Sequence, residues 1–307
     1  MNRNRIPAIF VSLILSLFFA ISAKAGVVFS ENYDKIQNGW NCSQPTPGGW
    51  TSKAGCSSDT YNGTAHYYGE ISSGGRTGNS LKLWRHNGGF SDYGGYLNNS
   101  FTDAEFANHY KELYQRWYMK IPVGWDASLG SASTHKFSRA YIGASAAAKT
   151  YEWYFDVKGG SFSGGRFTFY HGATSNIYYT QQTVSEIGVI DGRWHCYEFR
   201  MKLNTNTGGT DGELHFWIDG VEKYVGDGGY PPWTLGVSNK NWGVGTGDYF
   251  TSPAVPAIGN LTDGTWNFAG NEWYAIEFDD YVVSTTYVGP GDATGPSPPR
   301  NVRIISP

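Results

Sequence analysis

Short runs in which apolar and polar residues alternate recur along residues 26–288. A period of two places neighbouring side chains on opposite faces of a sheet, so each run predicts a β-strand. Gly, Asn, Asp and Ser separate the runs, which is typical of the turns of a β-sandwich or barrel. The clearest strands are predicted at residues 81–86, 114–121, 151–157, 196–203 and 214–219, with one short helical turn at 103–110.

One face of these predicted strands is an ordinary apolar core, whereas the other mixes aromatic rings with charged groups. A solvated sheet would show mainly Thr, Ser and Lys there, so we interpret the mixed face as the concave side of a curved antiparallel sheet. The alternative is a solvated outer face with scattered aromatic residues. The residues of this face that we expect to bind ligand are Lys82, Trp84, Tyr118, Lys120, Glu152, Arg200 and Trp217.

Composition supports an all-β chain that is long enough for one large domain. Charged residues make up only 16% of the 307 residues and aromatic residues 17%, and the 41 glycines favour strands and turns over helices. The net charge of −3 comes without a basic stripe, which argues against a nucleic-acid partner. The many Trp and Tyr residues could be core, but they are also the residues that stack on sugar rings.

The N-terminus has the pattern of a signal peptide. Arg3 and Arg5 precede an apolar run at residues 6–21, and residues 23–25 form a small-x-small cleavage site. We therefore expect residues 1–25 to be removed and the protein to be secreted, to the extracellular space or the periplasm. An uncleaved anchor is the alternative, although the run is short for a bilayer span. No other run is long enough to span a membrane.

An exported chain can form disulfides, and Cys42 and Cys56 are the expected pair, because both lie in one loop rich in Gly, Ser and Pro. Cys196 lies within a strand pattern and is expected to be a small buried residue. No spacing of Cys and His suggests zinc, and no cofactor is expected. A structural calcium ion is conceivable at loop aspartates, of which the candidates are Asp211, Asp227 and Asp263.

The C-terminal residues 289–307 are read as a separate segment. Residues 289–299 have the Gly and Pro content of a linker, and residues 298–305 look like the first strand of a fibronectin type III domain. The predicted organisation is therefore a signal peptide (1–25), a β-sandwich (26–288) and a linker with a truncated domain start (289–307). We expect the chain to be a monomer.

Three stretches resemble the concanavalin A-like and laminin G-like sandwiches: residues 191–198 (DGRWHCYE), 211–220 (DGELHFWIDG) and 276–285 (IEFDDYVVST). The resemblance covers about residues 26–288 and implies an antiparallel β-jelly-roll of two sheets. Members of this superfamily include lectins, glycoside hydrolases and polysaccharide lyases. The resemblance also implies a hairpin turn at Asp219–Gly220, and a structural role or a calcium ion for Asp279 and Asp280.

Hydrolysis by two facing carboxyl groups is disfavoured by the sequence. The laminarinase-type members carry E-x-D-x-x-E on one strand. That spacing is absent at Glu152 and Asp156, and Glu277 and Asp279 lack the following Glu. The R-x-E-L-R and Q-I-H strands of alginate lyases are also absent.

β-Elimination on a uronate polymer requires a cation that neutralises the carboxylate, a base, and an acid for the leaving oxygen. Read as a strand, the stretch THKFSRAYI (134–142) places His135, Phe137, Arg139 and Tyr141 on one face. We assign His135 as the base, Tyr154 or Tyr141 as the acid, and Arg116 and Arg139 as the cations. These assignments require Arg116, His135, Arg139 and Tyr154 to converge on one concave sheet.

The sequence therefore predicts a secreted protein that engages an extracellular polysaccharide, most specifically as a lyase for a uronate polymer. Two alternatives remain open. The same face could belong to a carbohydrate-binding module without catalytic activity, because stacking aromatic residues and cations serve both functions. The export signal and the fibronectin-like end could also mark an adhesive or structural surface protein.

Overall fold

The computed structural model describes residues 26–41, 43–45, 52–54, 58–61, 64–67, 69–86, 96–98, 103–125, 134–148, 150–158, 165–172, 176–252, 259–260 and 273–291. The predicted signal peptide, Cys42, Cys56, Asp263 and residues 292–307 lie outside the described residues. Their predicted roles therefore remain predictions.

The described residues form mainly β-strands. In chain order the strands are β1 (Val27–Glu31), β2 (Ser52–Ala54), β3 (Ser58–Tyr61), β4 (Thr64–Tyr67), β5 (Gly69–Ser73), β6 (Asn79–His86), β7 (Tyr96–Asn98), β8 (Glu112–Lys120), β9 (Thr134–Gly143), β10 (Tyr151–Lys158), β11 (Arg166–His171), β12 (Asn176–Thr180), β13 (Trp194–Lys202), β14 (Gly212–Ile218), β15 (Val221–Glu222), β16 (Tyr224–Asp227), β17 (Thr234–Leu235), β18 (Val237–Lys240), β19 (Tyr249–Ser252), β20 (Gly259–Asn260) and β21 (Trp273–Ser284). Two short helices are α1 (Asp103–Phe106) and α2 (Val184–Ile187).

These strands make two large antiparallel sheets. Sheet 1 has the order β15-β14-β13-β8-β21-β6-β5, with β1 paired to β21 and β18 paired to β14. Sheet 2 has the order β17-β16-β12-β11-β10-β9-β19, with β20 paired to β9. Two small ladders, β2 with β7 and β3 with β4, complete the described pairings.

Aromatic side chains fill the space between the two sheets. The ring centroid of Trp117 in sheet 1 is 5.2 Å from that of Phe155 in sheet 2, and Phe216 lies 5.1 Å from Phe169. All four side chains are fully buried. Edge-to-face contacts of this kind add to the free energy gained by burying each ring. The predicted all-β sandwich is confirmed.

The predicted strands are found where the alternation placed them, and the predicted helical turn is present as α1. The pattern did not indicate α2, which depends on a capping box. The Thr183 side chain accepts from the Glu186 N–H, and the Glu186 carboxylate accepts from the Thr183 N–H. No helix in the described ranges has the length and apolar character needed to cross a membrane.

The predicted hairpin at Asp219–Gly220 joins β14 to β15. Both residues have positive φ, 51° and 76°, as a two-residue turn between antiparallel strands requires. The Asp219 carboxylate binds two groups of β13: it accepts from the Cys196 N–H (2.8 Å) and contacts His195 Nδ1 (2.7 Å). The other ring nitrogen of His195 lies 3.1 Å from Asp191. The DG-x-WH stretch therefore locks the hairpin to the start of β13.

The Asp279–Asp280 pair also has a structural role, as expected. Asp279 accepts hydrogen bonds from the Arg76 and Asp280 N–H groups, and Asp280 forms an ion pair with the Arg76 guanidinium at 2.5 Å. Burial raises the pKa of the Asp279 carboxyl to about 6. These contacts tie the loop between β5 and β6 to β21.

The residues after β21 cross the outer face of sheet 1, and we call residues 285–291 the C-terminal strap. The N–H groups of Val288 and Gly289 donate to the two carboxylate oxygens of Glu198, at 2.8 and 2.7 Å. The Gly291 N–H donates to the Tyr118 hydroxyl at 2.9 Å. Packed chain thus continues through Gly291, beyond residue 288 where the linker-like composition begins.

Candidate functional site

The mixed aromatic and charged positions predicted from the sequence lie on two different faces. Arg116 belongs to β8 in sheet 1, whereas His135, Arg139 and Tyr154 belong to β9 and β10 in sheet 2. The outer faces of the two sheets point away from each other across the shared core. The expectation that these four residues converge on one concave sheet is therefore wrong.

The outer face of sheet 1 is closed by the C-terminal strap. The ring of Tyr287 packs against Trp217 and Tyr114, with centroid distances of 5.2 and 6.3 Å. Beneath the strap, Tyr118 is 3% exposed, Trp217 6% and Arg116 7%. These side chains were expected to contact ligand, but the strap contacts them instead. Period-two alternation identified the correct face of each strand without showing that a later segment covers it.

Glu198 is the buried carboxyl at the centre of this covered face. It is 1% exposed, and burial raises its pKa to about 7, although hydrogen bonds from Val288 and Gly289 and the charge of Arg116 oppose the rise. Arg116 is its cross-strand partner in register. Glu198 thus anchors the strap to β13, and Tyr118 anchors it to β8.

Two of the remaining predicted ligand residues of sheet 1, Lys120 and Arg200, form ion pairs within the fold. Lys120 pairs with Glu277 at 2.6 Å, and Arg200 pairs with Glu112 and Glu213, both at 2.6 Å. Lys82 and Trp84 are half-buried on β6, on the same outer face. Cys196 is buried and free, as predicted, and burial raises the pKa of its thiol to about 12.

The outer face of sheet 2 brings together four of the predicted residues: Arg139, Tyr141, Glu152 and Tyr154. Its first row is set by strand register: Tyr154 pairs with Arg139 on β9 and with Tyr170 on β11, and Tyr170 pairs with Ile177 on β12. Beside this row, Glu152 pairs with Tyr141. Glu152, Tyr141 and Tyr170 are half-buried, and all three alternate with core positions of their strands.

A second row crosses the same face. Asp156 pairs with Lys136 on one side and with Thr168 on the other, Thr168 pairs with Tyr179, and Tyr179 pairs with Gly226. The Thr168 hydroxyl donates to the Asp156 carboxylate. Burial raises the pKa of Tyr179, and the charges of Asp156 and Tyr230 add to the rise. We call both rows, with Glu152 and Tyr141, the sheet-2 outer face.

A β-bulge in β9 decides which residues of THKFSRAYI belong to this face. Phe155 pairs with Ser138 but the next residue, Asp156, pairs with Lys136, so Phe137 is the extra residue. Phe137 lies in the core, not on the face of Tyr141. His135 is in register with the core residue Val157. The predicted alternation is therefore broken: Lys136, not His135, lies on the same face as Arg139.

Cations outnumber carboxylates once the register pair next to the sheet-2 outer face is included. Lys136 and Arg139 on the face balance Glu152 and Asp156, and Lys158 with Arg166, the pair beside it, adds two more cations. The chain as a whole has a net charge of −3. A locally basic region in an acidic protein favours an anionic ligand.

Sequence reasoning missed Tyr170, Thr168 and Tyr179 on this face, and Arg166 beside it. A signal was available, because residues 166–171 (RFTFYH) alternate Phe167 and Phe169 with Arg166, Thr168 and Tyr170. For the adjacent Tyr178 and Tyr179 the sequence gives no indication of which one faces inward, whereas the structure buries Tyr178 in the core.

In the described part of the chain, no group of three or more His, Cys, Asp or Glu side chains converges. Asp211, a calcium candidate, instead accepts hydrogen bonds from the N–H and the hydroxyl of Thr205. Asp227, another calcium candidate, lines a cavity together with Tyr230 and Lys240.

Comparisons with known proteins gave fold-level likeness only. No protein-family model matches the chain, and no curated protein matches its sequence. The solved structure of alginate lyase Aly36B is similar with a TM-score of 0.46 and 13% identity, over 85% of this chain and 96% of that one. The endo-β-1,4-glucuronan lyase from the fungus Trichoderma reesei gives 0.42 and 11%, over 85% and 96%. The binding domain of botulinum neurotoxin serotype C1 gives 0.43 and 11%, over 76% and 48%.

Because these TM-scores lie below 0.5, activity has to be argued from the residues of this chain. The resemblance to the concanavalin A-like superfamily remains a prediction.

Proposed function

We propose that this protein binds an acidic polysaccharide along the sheet-2 outer face and cleaves it by β-elimination. The observation that carries the proposal is the first row of that face, where strand register sets Arg139, Tyr154 and Tyr170 side by side. Directly paired residues of antiparallel strands have Cα atoms about 5 Å apart, so the row is compact enough to act on one sugar.

The chemistry of elimination matches these residue types. A cation at Arg139 or Lys136 neutralises the uronate carboxylate, so that the proton on the neighbouring ring carbon, C5, becomes acidic. A phenolate oxygen, Tyr154 or Tyr170, takes that proton. The electron pair forms the C4–C5 double bond as the C4–O bond breaks, and the other phenol protonates the leaving oxygen.

Glu152 and Tyr141, paired beside the row, offer hydrogen-bonding groups to the sugar hydroxyls. The half-buried ring of Tyr170 provides apolar surface for stacking. This arrangement replaces the set that included His135 and Arg116, which the sheets place elsewhere.

The direct test is incubation of the purified full chain with alginate, polyglucuronate and polygalacturonate, followed by the ultraviolet absorbance of the unsaturated uronate product. We expect product from at least one polymer. Affinity electrophoresis in gels containing the same polymers measures binding separately. Retarded migration without product on any polymer would refute the elimination and leave a binding module.

Single-atom variants locate the chemistry. Tyr170→Phe removes only the hydroxyl and should lower kcat by about a hundredfold or more, with gel retardation unchanged. Tyr178→Phe is the matched control, because Tyr178 lies on the next strand but faces the core. Equal activity of the two variants would remove Tyr170 from the mechanism.

A further inference from the structure

We propose that the outer face of sheet 1 is a second binding site, which takes one uronate unit of an acidic saccharide in place of the C-terminal strap. The site lies on the opposite side of the sandwich from the row of Arg139, so it does not depend on the proposed function. Its floor is a register row across β14, β13 and β8, made by Trp217, Glu198 and Arg116. Tyr118 lies on the same face, two residues from Arg116 along β8.

The Arg116 guanidinium carries hydrogen-bond donors that the strap does not use. Its Nε and Nη1 atoms are buried, and no described residue offers either of them an acceptor. The guanidinium points at the strap, because a side chain at Gly291 would begin 3.9 Å from Nη1. An unpaired buried donor of a charged group is costly, so a ligand that brings an acceptor to it gains free energy. A carboxylate is the matching group, since its hydrogen bonds with a guanidinium are charge-assisted.

The strap makes hydrogen bonds that sugar hydroxyls can replace. The N–H groups of Val288 and Gly289 donate to the two oxygens of Glu198, and the Gly291 N–H donates to the Tyr118 hydroxyl. A sugar hydroxyl is a donor of similar reach and can take the place of each N–H group. The strap therefore satisfies the acceptors of this face while it leaves the guanidinium donors unused, and a uronate can satisfy both.

The aromatic part of the face offers a stacking surface. Trp217 contacts two nearly parallel rings, Tyr114 at 6.4 Å and 26° and His215 at 5.8 Å and 16°. The strap covers Trp217 with Tyr287, in an edge-to-face contact at 5.2 Å. Trp217 Nε1 and the Tyr287 hydroxyl are buried without a hydrogen-bond partner among the described residues. A sugar ring can replace Tyr287 on the indole and bring a hydroxyl that accepts from Nε1.

The charge of the site suits an acidic sugar at slightly acid pH. Burial raises the pKa of Glu198 to about 7, and Arg116 is the one charged group that acts on it, so at pH 6 most of the carboxyl is protonated. Burial also raises the pKa of the neighbouring Tyr114, Cys196 and Tyr287, which keeps all three neutral. Arg116 then attracts the uronate carboxylate without a competing anion. We expect the affinity to fall from pH 6 to pH 8, as Glu198 ionises.

The test is hydrogen exchange of the full chain at pH 6, with mass spectrometry of peptides that span residues 285–291, with and without trisaccharides of glucuronate or galacturonate. A uronate that displaces the strap should raise the exchange rate of the Val288 and Gly289 amides by at least about tenfold. Arg116→Met should abolish this rise, and it should fold normally because its donors are unpaired in the closed face. Arg139→Met, on the other sheet, is the matched control and should keep the rise.

A second variant should gain affinity, which separates the proposal from a simple loss of folding. Tyr287→Ala weakens the strap that competes with the ligand and should lower the dissociation constant about tenfold. The constant is measured by calorimetry in the Arg139→Met background, so that binding at the sheet-2 outer face contributes little.

The outcomes separate this site from the proposed function. Strap exchange that no uronate changes, or an equal rise in Arg116→Met and wild type, overturns the site. Unchanged affinity in Tyr287→Ala would contradict competition between strap and ligand. Formation of unsaturated product is measured independently, so the failure of either proposal leaves the other standing.

Discussion

The buried Glu198 carboxyl should make the stability of the whole sandwich depend on pH in an unusual direction. Its ordinary pKa of 4.5 rises to about 7 in the folded chain, because burial disfavours the charged form. The folded chain therefore holds the proton more tightly than the unfolded chain. The stabilisation is complete below pH 4.5 and is lost as the pH rises from 4.5 through about 7.

The size of the effect follows from the two pKa values. Each pH unit between them corresponds to about 1.4 kcal/mol, so ionisation of Glu198 costs the folded state about 3 kcal/mol. Glu198→Gln has nearly the same shape, cannot ionise, and keeps one oxygen to accept from the strap. The difference in unfolding free energy between variant and wild type should therefore change by about 3 kcal/mol in favour of the variant between pH 4.5 and about pH 8.

The assay is urea unfolding at a series of pH values, followed by tryptophan fluorescence. Glu213→Gln is the control on the neighbouring strand. Burial raises the Glu213 pKa, but hydrogen bonds and charges from Lys202 and Arg200 outweigh burial and lower it. Its stabilisation is thus present above pH 4.5 and lost as the pH falls, the opposite sign. Parallel pH profiles for wild type and Glu198→Gln would refute the reasoning.

Three further perturbations test other contacts. The hydrogen bond to Asp219 raises the pKa of His195 against the effect of burial. The protonated imidazole therefore stabilises the fold below pH 6.5, and this stabilisation is lost as the pH rises through the raised pKa. His195→Gln should remove this pH dependence in thermal melts, and an unchanged profile would contradict it. Gly212→Ala places a methyl group 2.2 Å from Trp242 and should lower the free energy of unfolding in urea by about 1–3 kcal/mol. Gly247→Ala, whose methyl group would meet nothing within 4 Å, should leave it unchanged. Equal losses for the two variants would contradict the packing. Thr183→Ala removes the N-cap of α2 and should cost about 1 kcal/mol, and no loss would show that the capping box is not formed in solution.

Strand positions were predictable because burial of one face leaves a period-two record in the sequence. Trp117 and Phe155 fall on core faces as the alternation indicates, and the Asp219–Gly220 turn has its own sequence signature. Membership of a sheet leaves no such record. Arg116 and Arg139 are in similar local patterns, and only long-range pairing assigns them to different sheets.

Part of the candidate site could be predicted from the same two-residue alternation. Arg139, Tyr141, Tyr154 and Glu152 were placed on one face, and the register agrees. His135 was misassigned because a bulge places two residues opposite one residue of the partner strand. Local alternation does not show where this happens. Trp217 and Tyr118 were identified as outward-facing, but their burial depends on the strap, about 70 to 170 residues further along the chain.

The bulge at Phe137 has a consequence for how such a face can evolve. A single insertion in a regular strand turns every side chain on one side of the insertion to the opposite face of the sheet. In β9 the bulge already absorbs that shift: with Phe137 removed, Lys136 would directly precede Ser138 and stay in register with the outward Asp156, while Arg139 and Tyr141 kept their positions. Loss of that one codon would therefore leave the outward-facing residues of β9 unchanged, because the bulge compensates for the extra residue.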